Sequence, residues 1–185
     1  MEVLKIRQGD TDDIMSLIML GREMHKESPR FRDMDYDEDK LMHLGLGLAE
    51  QGGIFIAEKD DKPVGMVLGM VTEHFFGHDL MATDLAFYVH PDHRGGTLAV
   101  RMLKKFEAWA FSLGAKVISV GVSTEVGSER TGQLYERLGY RITGCLAVKE
   151  KHNYKIKEAN VSNARVRTSK PTSITRWWRF TNGWG

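Results

Sequence analysis

The chain has 185 residues, 42% of them hydrophobic and 28% charged, which is enough apolar material for one folded domain with a full core. Its single cysteine, Cys145, excludes an intrachain disulfide and fits a reducing cytosol, and no apolar run approaches the roughly 20 residues that span a bilayer. The net charge of +1 hides a split: residues 152–185 hold seven of the 26 Lys/Arg and one of the 25 Asp/Glu, so that segment is +6 and residues 1–151 are −5.

The opening MEVLKIRQGDTDD has neither the basic start nor the apolar stretch of a signal peptide. Residues 3–7 alternate as a first strand. Asp10 or Thr11 then caps a helix with Ile14, Leu17, Ile18 and Met24 at helical spacing. Residues 25–40 are polar and broken by Pro29, and a second helix, capped near Asp37, carries Leu41, Leu44 and Leu48 to a stop at Gly52-Gly53. Two apolar runs, 54–58 and 64–71, flank a tight turn and predict an antiparallel hairpin. After the loop HFFGHDL come a strand at 83–89, a helix over LAVRMLKKFEAWAFSLG, a strand at 116–122, a helix over 128–138 ended by Gly139, and a strand over 140–149. The order is β-α-α-β-β-β-α-β-α-β, with no internal repeat.

The junction VHPDHRGGTLAV, residues 89–100, stands between a strand and a helix. A helix N-terminus exposes unpaired N–H groups at the positive end of its dipole, and glycines let a ligand approach that backbone closely. Arg94 adds a positive charge, so the turn suits an anion such as a diphosphate. Read plainly, the same glycines serve only the geometry of a tight turn.

The residues 89–99, Val-His-Pro-Asp-His-Arg-Gly-Gly-Thr-Leu-Ala, resemble the V-x-P-x-x-R-G-x-G-x-G/A segment of the GNAT superfamily of acetyl-CoA-dependent N-acetyltransferases. Leu134-Tyr135-Glu136-Arg137-Leu138-Gly139-Tyr140 is similar to the same family's LYEKLGF. The resemblance covers roughly residues 3–150 and implies an α/β (α+β) GNAT fold, with a mixed sheet of about six to seven strands flanked by about four helices. It implies acetyl-CoA as co-substrate, held by Arg94, Gly95, Gly96, Thr97, Leu98, Ala99 and Ser128. An opened-out strand over Phe87–Val89 would offer the thioester carbonyl a backbone N–H, that of Val89. Tyr135 falls at the family's general-acid position and Asp84 at that of a carboxylate base. Two residues depart from the pattern. Thr97 replaces the second loop glycine, keeping its N–H but narrowing the approach, and Ser128 stands where the family often has Asn, able to cap the helix but less suited to a side-chain contact with CoA. The compact RGGT loop is also similar to GNAT-like proteins of tailed phages, which would place the chain in a host cytoplasm or a virion.

Other features weigh less. Tyr135 could simply pack on its helix, and Asp84 could sit exposed at a strand end. His74, His78, His90 and His93 lie within twenty residues but lack a zinc-binding pattern, so no metal is expected. Met15, Met19 and Met102 read as core filler, and Cys145 as a small core or edge residue. The acids of 33–39, DMDYDED, are either a solvated loop or a lure for a cationic amine.

The charge split divides the chain into a GNAT-like domain, 1–151, and a basic arm, 152–185. The arm's end, 174–185, sets Trp177, Trp178, Phe180 and Trp184 beside Arg176 and Arg179, a composition for protein docking more than for nucleic acid. Two functions stay open at this point. One is transfer of acetyl to an amine of a small molecule or a protein; the other is a catalytically weak GNAT-fold module docked into an assembly through its arm.

Overall fold

The computed structural model describes residues 4–144 and 146–148. The architecture below is that of the unit Met1–Gly144; of the unit Cys145–Gly185, residues 146–148 are described and form no helix or strand. The arm 152–185 and Cys145 lie outside the described residues.

The elements are β1 (Leu4–Gln8), α1 (Ile14–Glu27), α2 (Glu38–Gln51), β2 (Ile54–Lys59), β3 (Lys62–Glu73), β4 (Leu80–Val89), α3 (Leu98–Ser112), β5 (Val117–Ser119) and α4 (Ser128–Arg137). They build one sheet of order β1-β2-β3-β4-β5, antiparallel up to β4 and parallel between β4 and β5. On one face α1 and α2 pack Leu17, Leu20 and Leu48 against Ile54, Ile56 and Met66. On the other, α3 buries Leu98, Met102, Phe106 and Ala110 against Phe55, Val67 and Ala82. Alternate strand residues point to opposite faces, so each strand feeds both cores.

Local chemistry explains the element ends. Asp10 accepts a hydrogen bond from the Asp12 N–H and forms a reciprocal capping box with Asp13, which opens a short 3-10 turn, Thr11–Asp13, ahead of α1. Asp13 also anchors Arg7: the guanidinium donates to both Asp13 oxygens at 2.7 Å and to Glu58 at 2.5 Å, tying α1 to β1 and β2. Asp37 caps α2. The β2–β3 turn places Asp60 and Asp61 at φ of 50° and 61°, the left-handed pair that matches hairpin twist. α2 ends at Gly52, and Gly53 lies so close to the Gly69 carbonyl that a Cβ would stand 2.0 Å from its oxygen.

Three expectations change. The sheet has five strands among the described residues, not six to seven, because 140–144 and 146–148 add none. The strand expected at 116–122 is shortened to β5 because its partner bends away: residues Leu68 and Gly69 of β3 face Ala86 and Asp84, which leaves Leu85 as a bulge in β4. Met15 and Met19 are exposed, on the side of α1 away from Leu17 and Ile18, whereas Met102 is buried as expected. Among the described residues no helix is long and apolar enough to cross a membrane.

Candidate active site

β4 and β5 pair only from Met81↔Val117 to Thr83↔Ser119 and then part. The gap is a cleft of about 990 Å³ lined by residues 84–89, the 93–96 loop, residues 121–124 and α4. Asp84 sits at the fork, where the Gly121 N–H donates to its Oδ1 at 3.0 Å. Burial pushes the Asp84 carboxyl up to about 6, against the opposing pull of that hydrogen bond. Tyr135, on α4, is 3% exposed, and its hydroxyl reaches the Gly121 carbonyl at 3.4 Å. Burial, reinforced by Asp84, raises the phenol above its ordinary value, so it stays protonated at neutral pH. The two side chains thus engage the N–H and the carbonyl of one residue, Gly121, Asp84 from β4 and Tyr135 from α4.

The direction of the Val89 amide follows from its neighbours. The His90 N–H donates to the Val64 carbonyl on β3 at 2.8 Å, and the Val89 carbonyl accepts from Arg94 Nε at 2.7 Å on the other side. In a strand, a residue's N–H and C=O leave on the same edge, so the Val89 N–H faces the cleft, as does that of Phe87 two residues earlier.

At the loop expected to hold a phosphate, the arginine already has a partner. Arg94 does not offer a free charge: its two terminal nitrogens each bond a Glu27 oxygen at 2.6 Å, and its guanidinium lies 5.4 Å from the Tyr88 ring centre. Glu27 is held below the usual carboxylate range by this pair. The pair ties the end of α1 to the loop, and Arg94 also lines the cleft. Gly95 has φ of +92°, and a Cβ there would lie 3.6 Å from Arg130 Nη2. Arg130, on α4, is exposed and has no ion-pair partner among the described residues. Sequence reading missed it because the cleft brings α4 beside the loop only in three dimensions.

The remaining candidates divide. Gly95, Gly96 and Ala99 line the cleft, as do Phe87 and Val89. Thr97 is the N-cap of α3 without a side-chain bond, and Leu98 is buried in the core behind it, so neither side chain reaches the cleft. Ser128 does not cap α4: Gly127, at φ +57°, holds that position, and the exposed Ser128 side chain lies off the cleft wall. His74 and His78 belong to an exposed β3–β4 tip, and among the described residues no three His, Cys, Asp or Glu gather as metal ligands. Of the acidic run, Asp37 caps α2 and Glu38 pairs with Arg22.

The fold that carries this fork recurs in known proteins. No curated protein matches the chain. Among solved structures, an aminoglycoside N-acetyltransferase in complex with CoA shares the fold at TM-score 0.65 and 15% identity, over 82% of this chain and 96% of that one. A predicted acetyltransferase with acetyl-CoA from Clostridium acetobutylicum gives 0.64 and 16%, over 83% and 100%. A ribosomal-protein-alanine N-acetyltransferase from Brucella melitensis biovar Abortus 2308 gives 0.60 and 16%, over 80% and 99%. The sequence model of the acetyltransferase (GNAT) family matches residues 17–140, two thirds of the chain, and the protein belongs to that family.

Proposed function

We propose that the protein transfers the acetyl group of acetyl-CoA directly to a primary amine. The observation that carries this reading is the parting of β4 from β5 beyond Thr83, which leaves the Val89 N–H facing a cleft with Asp84 and Tyr135 at its fork. Gly95, Gly96 and Thr97 present backbone N–H groups at the start of the fifteen-residue α3, a fit for the CoA pyrophosphate, with Arg130 supplying the charge.

In the reaction the amine nitrogen bonds to the acetyl carbon and the carbon–sulfur bond breaks. The nitrogen loses one proton and the sulfur gains one, giving an amide and free CoA. The Val89 N–H stabilises the developing oxyanion. Asp84, poised near neutrality, takes the amine proton through water, and the protonated Tyr135 returns one to the thiolate. The test is release of CoA thiol from acetyl-CoA with a panel of primary amines. Amine-dependent release with a matching N-acetyl product supports the reading, and its absence with every amine contradicts it.

A further inference from the structure

A second cavity, about 480 Å³, opens between α1, α2 and the sheet. Leu17, Leu44, Leu48, Met66, Leu68 and Leu85 are among the apolar residues of its wall. Three of the exposed large apolar side chains converge on it: Met34, Leu44 and Leu85, at 62%, 43% and 45% exposure. A fold leaves such side chains uncovered around one groove when something apolar covers them.

The groove adjoins the cleft. Met24, Phe31, Leu85 and Ala86 line both cavities, so they meet at the bulge of β4, one residue from Asp84. A molecule seated in the groove thus lies against the wall it shares with the cleft, beside the residue that follows Asp84. Its charged lining is sparse: Asp35, Asp37 and Lys40. The Asp37 carboxylate is engaged by the Lys40 N–H at 3.0 Å, and Lys40 opposes cations. Asp35 alone is an exposed carboxylate on the rim with no partner among the described residues.

We propose that this groove selects the acceptor, and that the acceptor is a small monoamine carrying an apolar body, aromatic or branched aliphatic, in preference to a polycation. The inference rests on the acetyl-transfer reading. A cavity of this volume has room for a ring system with its side arm. The body lies against Leu17, Leu44 and Leu68, and the amine reaches the shared wall at Leu85 and Ala86. A polycation would bring several ammonium groups against leucine and methionine, and beyond the one that Asp35 can meet, each loses hydration without a partner.

The experiment measures kcat/KM for phenethylamine, isoamylamine, spermidine and an aminoglycoside with the full chain and acetyl-CoA. The apolar monoamines are expected to be used at least about tenfold better than the polycations, the scale of one well-filled hydrophobic contact. Leu44→Asp, on an exposed helix position, should raise KM for phenethylamine about fivefold or more and narrow the gap to spermidine, with acetyl-CoA affinity unchanged. Leu85→Asp, on the bulge, is the second variant and should act in the same direction. Faster use of the polycations, or apolar amines unaffected by both variants, would overturn the proposal. Acetyl-CoA binding without turnover of any apolar monoamine would also overturn it while leaving the cleft intact. Loss of acetyl-CoA binding altogether would overturn the acetyl-transfer reading beneath it.

Discussion

Glu27 and Arg94 hold each other through two hydrogen bonds of 2.6 Å, which join the last residue of α1 to the loop before α3. The pair consumes the charge that the loop arginine would otherwise lend to a phosphate. Glu27→Gln should therefore tighten acetyl-CoA binding about two- to fivefold, because Arg94 keeps its position through the Val89 carbonyl but regains its charge. Calorimetric titration with acetyl-CoA measures this, and a weaker affinity in Glu27→Gln would refute it.

Arg130 is expected to carry the phosphate contact. Arg130→Ala should weaken acetyl-CoA binding about tenfold at low salt and less at high salt, since an exposed charge is screened. An affinity independent of both the substitution and the salt would remove Arg130 from the site.

The Asp84 carboxyl, raised to about 6 by burial, makes two linked expectations. The kcat/KM profile should rise through about pH 6 as the base ionises, and Asp84→Asn should lose that limb together with most activity. Stability should respond in the opposite sense. A carboxyl whose folded pKa exceeds its unfolded value costs stability as pH rises from the unfolded value towards about 6. Asp84→Asn should thus stabilise the fold at pH 7.5 by about 1–3 kcal/mol, read as a higher Tm than wild type.

Tyr135→Phe removes one hydroxyl from a residue that stays buried. Its bond to Gly121 is 3.4 Å long and contributes little to stability, so Tm should hardly move. kcat should fall about 10- to 100-fold with acetyl-CoA affinity nearly unchanged, the mark of a lost proton donor. Unchanged kcat would make Tyr135 a packing residue.

The Arg7–Asp13–Glu58 cluster supplies an acid-sensitive joint between β1, α1 and β2. Arg7 holds the Asp13 carboxyl below its ordinary range, so this stability is present above the unfolded carboxylate value of about 3.9 and is lost as pH falls through the folded value. Arg7→Met should destabilise by about 2 kcal/mol at pH 7, because the buried Asp13 is left charged and unpaired, and should flatten the Tm decline below pH 4.

Local rules account for what the sequence made legible. Asp37 and Gly52 bound α2 because a cap and a left-handed stop are written in the residues at its ends, and the 59–62 turn marks the β2–β3 hairpin in the same way. The loop at Arg94–Thr97 and the position of Tyr135 were readable from motif spacing. Long-range geometry was not. The pairing of Arg94 with Glu27 spans 67 residues, and no local pattern announces it. The early end of β5 depends on the Leu85 bulge in its partner, which turns Asp84 onto Gly121 instead of extending a ladder. Ser128 looked like a cap, but Gly127 adopts the left-handed turn that starts α4 one residue sooner.

Calorimetric titration of the purified protein with acetyl-CoA shows directly whether the β4–β5 fork is an acetyl-CoA site. One molecule should bind per chain with micromolar affinity, weakened by Arg130→Ala and preserved in Tyr135→Phe. No heat of binding at millimolar acetyl-CoA would contradict it.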